Sequence, residues 1–189
     1  PFMASLKQDM PLVALEVEID LTARLIQQLL TGRTDLAFAA GPVAHPGLIS
    51  QPIGTVQLLW LARPDVADAF AAHRRGCGPA VPLWSLASHS PIYRRMRDAL
   101  AGLDLPETSL NLSNNARMMV DIAKAGGGLG VFPESMVREE LKRGELVQLA
   151  DMPKLDPVYF LVAVRAAEQD PILLRIFEQA SSLNLLNMA

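Results

Sequence analysis

Three places in the chain carry side chains of the kind that hold a small anion. They are Thr22 just after Asp20, the run Ser88, His89 and Ser90, and the pair Ser113 and Asn114. Each lies where a strand-like run gives way to a helical one. Hydroxyl and carboxamide oxygens there take the first free N–H groups of a helix. The same helix ends offer unpaired N–H groups and the positive end of the dipole, which suit a carboxylate or another anion. Capping alone accounts for any one of these residues, and ligand contact is the second reading. His89 adds a ring that either donates to an anion or simply faces water. Phe132, just before Pro133, either floors a binding site or packs in the core.

Other chemistries find no footing. His45, His73 and His89 are far apart and lack the spacing of metal ligands. A single cysteine, Cys77, makes neither an intrachain disulfide nor a thiolate cluster. No nucleophile elbow or phosphate loop occurs. No acid, base and nucleophile set converges, so no catalytic residue, metal ligand or cofactor is assigned. The run 126–130 (GGGLG) follows a helix and precedes a strand, the reverse of a dinucleotide-binding turn, and reads as helix termination. Arg74, Arg75, Arg94, Arg95 and Arg97 read as solvated helix faces. Trp60 reads as core, and Trp84 as core or as the wall of a cleft.

Strands and helices alternate behind these residues. Residues 13–19 (VALEVEI) alternate apolar and acidic, the period of a half-buried strand. A helix with Leu25, Ile26, Leu29 and Leu30 on one face follows and stops at Gly32. Further strands are expected over 35–40, 47–53, 56–63, 81–86, 108–112, 129–132, 146–149 and 158–165. Helices are expected from Pro64 to Arg74, after Pro91 with Ile92, Met96 and Leu103 on its stripe, after Asn114, from Pro133 to Arg143, and from Pro171. Repeated strand–helix units predict an α/β protein with a mostly parallel sheet. Two apolar strands, 56–63 and 158–165, flank a central block with its own strand–helix series. That arrangement predicts two Rossmann-like subdomains joined by two crossover strands, with a ligand cleft between them. Subdomain I takes 1–63 and 159–189, and subdomain II takes 64–158.

Length and composition agree. The chain has 189 residues, 50% of them apolar and 20% charged. A chain of that size and make-up can bury a core. A formal charge of −3 argues against binding nucleic acid by charge alone. No apolar run reaches the roughly 18 to 20 residues needed to span a bilayer, and the first residues do not read as a signal peptide.

Several segments together resemble LysR-type transcriptional regulators. Residues 29–42 (LLTGRTDLAFAAGP) are similar to the family's leucine, glycine, acid-led apolar strand and Gly-Pro segment. Residues 47–63 resemble its next two strands. Residues 113–133 (SNNARMMVDIAKAGGGLGVFP) resemble its Ser-Asn, helix, Gly-Leu-Gly and Pro segment, and 134–149 its next helix and strand. The likeness implies the effector-binding domain, folded like the type 2 periplasmic binding proteins. It implies a cytoplasmic regulator that binds a small, polar or anionic effector, with contacts near Thr22, Gly41, Ser88, Ser90, Ser113, Asn114 and Phe132. It implies a homodimer or tetramer through this domain, for which the 21–31 helix and the helix bearing Met118 and Met119 are candidate faces. DNA would be bound only through a helix-turn-helix that these residues do not include. Residues 1–11 resemble the end of the family's first helix here, so the strand before it has no counterpart. The gap is expected to be filled by another segment.

Two other classes compete. An extracytoplasmic solute-binding protein of a transporter shares the fold, and the 113–133 segment favours the regulator over it. An enzyme on the same fold would need a convergent catalytic set, which is absent.

Overall fold

The computed structural model describes residues 2–101 and 110–183. In chain order the elements are α1 (Phe2–Asp9), α2 (Thr22–Leu30), β1 (Ala37–Ala40), β2 (Leu48–Val56), β3 (Leu58–Ala62), α3 (Pro64–Arg74), β4 (Leu83–Leu86) and α4 (Pro91–Leu100). They continue with β5 (Leu110–Ser113), α5 (Ala116–Lys124), β6 (Leu129–Pro133), α6 (Glu134–Lys142), β7 (Val147–Gln148), β8 (Val158–Arg165) and α7 (Pro171–Ser181). Prolines open α3, α4 and α7, where a missing N–H costs nothing. The chain divides into two compact units, Pro1–Thr55 with Tyr159–Ala189, and Val56–Val158.

The first unit holds a three-stranded sheet in the order β1-β8-β2. β1 runs antiparallel to β8, with Ala37 opposite Ala163 and Ala39 opposite Leu161. Alternation along these strands sorts side chains onto two faces. Ala37, Ala39, Leu161 and Ala163 pack with Leu29 of α2, where the alanines let helix and sheet approach closely. Val162 and Val164 face the other way, onto Ile53 and onto Phe177 and Ala180 of α7. Phe38 meets Phe2 of α1 edge to face, with ring centroids 5.5 Å apart, a favoured aromatic geometry. Helix α2 stops in a Schellman turn. Gly32, with φ 74°, donates to Leu29 O, and Arg33 donates to Gln28 O.

The second unit holds a five-stranded sheet in the order β5-β4-β6-β3-β7. β5, β4 and β6 are mutually parallel, and β3 is antiparallel to both β6 and β7. One face is covered by α5 and α6, through Met119, Val120, Ala123 and Val137 against Leu61 and Phe132. Each parallel strand leads directly into a helix, so the starts of α4, α5 and α6 lie at one edge of this sheet.

Three expectations change. The stretch 13–19 forms no strand, because alternation alone makes no ladder and no described strand pairs with it. Its Val17 and Ile19 are 64% and 94% exposed. The strand expected over 56–63 is β3 alone; its ladder to β6 and β7 draws it into the second unit, so the division falls at Val56. The five-stranded sheet is mixed and not mostly parallel: β4 pairs in parallel with β5 and β6, and β3 is antiparallel to β6 and β7. Leu103 and residues 108–109 of the expected 108–112 strand lie outside the described residues, and β5 begins at Leu110.

Candidate functional site

The second unit gathers most of the polar residues named from sequence. β4 ends at Leu86, and a short turn closed by Ser90 N–H to Ala87 O (2.8 Å) leads into α4. Ser90 caps that helix: its Oγ accepts from Ile92 N at 3.2 Å, the bond expected of a capping serine. Ser88 and His89 sit exposed on the turn. One strand over, β5 ends at Ser113, whose side chain is buried at 6% exposure. Its Oγ accepts from Asn115 N at 3.0 Å and donates to Asn115 O at 3.2 Å. This fixes the backbone between strand and helix.

Asn115, not Asn114, caps α5, its Oδ1 accepting from Met118 N at 3.1 Å. Three capping residues in a row, Ser113 to Asn115, leave the capping position undecided by type alone, and Asn114 stands exposed beside it. Met119 N–H goes to Asn115 O. Among the described residues, the N–H groups of Ala116 and Arg117 find no acceptor, and such first-turn donors attract anions. The Arg117 guanidinium on the same turn adds positive charge, held 3.0 Å from Glu140 of α6 and 3.7 Å from Asp121. The edge is therefore rich in donors and hydroxyls and suits a carboxylate or a polar group.

Glu140 was not marked from sequence. It reads as one more charge on a polar helix, yet it is only 6% exposed. Burial raises its pKa, but its own backbone N–H, the Arg117 hydrogen bond and the charges of Arg117 and Lys124 outweigh this, so the carboxyl lies below the usual glutamate range. A depressed folded pKa gives stability that is present above the unfolded value and lost as pH falls through the folded one. Glu140→Gln should thus lower stability at neutral pH by about 1–2 kcal/mol and flatten the loss on acidification below about pH 4.5. Urea titrations from pH 3 to 7 read both effects; parallel pH profiles for the two proteins would contradict them.

Phe132 lies in the core. It is 1% exposed and packs among Leu61, Met119, Val120, Ala123, Val137 and Leu146, since its place on β6 faces α5. Trp60 is core, and its Nε1 donates to Pro153 O at 2.9 Å. Trp84 is half-buried and donates to Gly127 O at 3.0 Å. The glycine run terminates α5: Gly126 N–H goes to Ala123 O and Gly127 N–H to Ile122 O, a Schellman pair. Thr22 and Gly41 belong to the first unit. Thr22 Oγ1 bonds both the N–H (3.1 Å) and the C=O (3.2 Å) of Ala40, and Gly41 (φ 90°) donates to Tyr159 O at 2.7 Å. The cap of α2 is Leu21, whose N–H goes to Asp20 Oδ1. Among the described residues no group of histidine, cysteine or carboxylate side chains is placed to hold a metal, and no helix is long and apolar enough to cross a membrane.

The LysR substrate binding domain family matches residues 1–182. The chain belongs to this family. That family is regulatory, and the match supports an effector-sensing domain of the LysR type over the solute-binding alternative. The HTH-type transcriptional regulator ArgP of Proteus mirabilis is 22% identical over 139 residues, covering 72% of this chain and 46% of that protein. Full-length LysG from Corynebacterium glutamicum with bound effector Arg superposes with a TM-score of 0.75 at 18% identity, over 97% of this chain and 64% of LysG. The apo regulatory domain of HypT from Salmonella typhimurium gives 0.78 at 16% identity, over 94% of this chain and 86% of that one. The LysR-type chain thus spans about half the length of the ArgP regulator it matches.

Proposed function

We propose that this domain senses a small polar or anionic molecule within a cytoplasmic LysR-type transcriptional regulator, as a homodimer or tetramer that meets DNA through another part of the protein. In the second unit the effector sits at the carboxyl ends of β4 and β5. Ser88, Ser90, Ser113 and Asn114 supply hydroxyl and amide contacts, and the first turn of α5 supplies N–H groups. The observation that carries this is Ser113. A buried hydroxyl at a parallel strand end holds the backbone so that the Ala116 and Arg117 N–H groups stay free. Ligands of open α/β sheets bind at such strand ends. A bound effector acts as a switch by favouring one state of the regulator over another, and only by its differential affinity for the two.

A thermal-shift series with small carboxylates and amino acids tests this. At least one compound should raise Tm, and Ser113→Ala should weaken its binding by about 1–3 kcal/mol. Stabilisation by none, or equal stabilisation of Ser113→Ala, counts against the proposal.

A further inference from the structure

A second place in this unit has the makings of a ligand site unconnected with the strand ends. A groove of about 600 Å³ runs between α3 and the stretch following β7. Asp68, Ala71 and Arg74 of α3, and Arg75 at its C-cap, line it. Their spacing of three, six and seven residues puts them along one helical face, with Asp68 and Arg75 about 10 Å apart along the axis. Phe70 and Leu149 give it an apolar floor. The opposite wall is fixed at three points. Leu149 N–H meets Trp60 O at 3.0 Å, Trp60 Nε1 meets Pro153 O at 2.9 Å, and Arg74 Nη1 donates to Asp151 O at 2.8 Å. A groove whose walls are already tied loses little freedom when it takes a ligand.

Its charges are not paired with one another, and Arg74 is held by a main-chain carbonyl instead. Among the described residues Asp68, Arg74, Arg75 and Asp151 make no ion pair, although ion pairs hold Arg63, Arg117, Lys124 and Arg165. The groove therefore carries the Asp68 carboxylate towards one end, the Arg74 and Arg75 guanidiniums with Asp151 beside them towards the other, and apolar surface between.

The geometry points to a binding site for a small amphoteric molecule, with a carboxylate on Arg74 and Arg75, a cationic nitrogen on Asp68 and an apolar chain across Ala71, Phe70 and Leu149. Arginine suits the carboxylate end because its planar fork matches two oxygens at once. A chain of about five methylenes sets its charges about 7–8 Å apart, within reach of long side chains whose backbones stand about 10 Å apart along the axis.

Calorimetric titration of the whole chain with 6-aminohexanoate, hexanoate and hexylamine tests this. Only 6-aminohexanoate carries both charges, and it should bind about tenfold more tightly than either of the others. Asp68→Asn and Arg75→Gln, exposed substitutions expected to keep the parent Tm, should each weaken it about tenfold, while Ser113→Ala leaves it unchanged. No binding of 6-aminohexanoate, equal binding of hexanoate, or indifference to both groove substitutions overturns the site. Loss of binding on Ser113→Ala would move the compound to the strand ends and overturn it too. The effector proposal stands or falls separately, on the Ser113-dependent ligands.

Discussion

Phe132→Ala should destabilise the protein by about 3–5 kcal/mol, the range for emptying a buried aromatic site. The ring is 1% exposed and touches both layers of its unit. It belongs to one core cluster with Met119, Val120 and Ala123 of α5, Val137 of α6 and Leu61 of β3. It also lies over Gly130, where an added Cβ would meet its Cε2 at 3.0 Å. Helices fixed on two sides cannot easily collapse into the space left behind, which puts the cost towards the upper part of that range. Phe132→Leu keeps most of the volume and should cost about 1–2 kcal/mol. Urea denaturation followed by circular dichroism reads both. A Phe132→Ala loss below about 1 kcal/mol would mean that the ring is not core. A residue that only floors a ligand site would behave in that way.

Gly128→Ala should cost about 3 kcal/mol or more, from a strained backbone and a steric clash together. Its φ of 141° lies where side chains are rarely tolerated. An added Cβ would stand 2.3 Å from Pro82 O and 3.1 Å from Trp84 Cδ1. Pro82 O cannot withdraw freely, because it accepts the N–H of Leu129 at 3.0 Å and so helps to seat β6 beside β4. Gly144 provides the control. Its φ of 68° is also left-handed, but nothing lies within 4 Å of an added Cβ. Gly144→Ala should therefore cost only about 1 kcal/mol. Equal losses at the two positions would show that conformation alone, and not the approach of Pro82, sets the cost at Gly128.

Much of this was legible in the sequence because it rests on local rules. Proline starts, glycine stops and apolar strands marked α3, α7 and β8 closely. The glycine run declared itself as helix termination by its order between helix and strand. Segments 29–42 and 113–133 carried the family resemblance, which the match over 1–182 bears out.

What failed depends on partners distant in the chain. Residues 13–19 alternate as a strand should, but a ladder requires a neighbour that periodicity cannot supply. Residues 56–63 read as the crossover strand by which the chain leaves the first subdomain, whereas pairing with β6 and β7 takes β3 into the second unit. Glu140 looked like any surface charge until Arg117 and Lys124, from another helix, closed over it. At the candidate site, the strand-end hydroxyls were named from sequence. The capping role of Asn115 was not, since Ser113 and Asn114 just before it are equally good capping types.

The most direct test is to follow backbone amide shifts of the labelled protein while titrating in a carboxylate or amino acid that raises its Tm. The largest changes are expected over residues 88–92 and 113–118, with those at 113–118 suppressed in Ser113→Ala. A stabilising compound that binds to saturation and leaves both segments unmoved would contradict an effector site at the ends of β4 and β5.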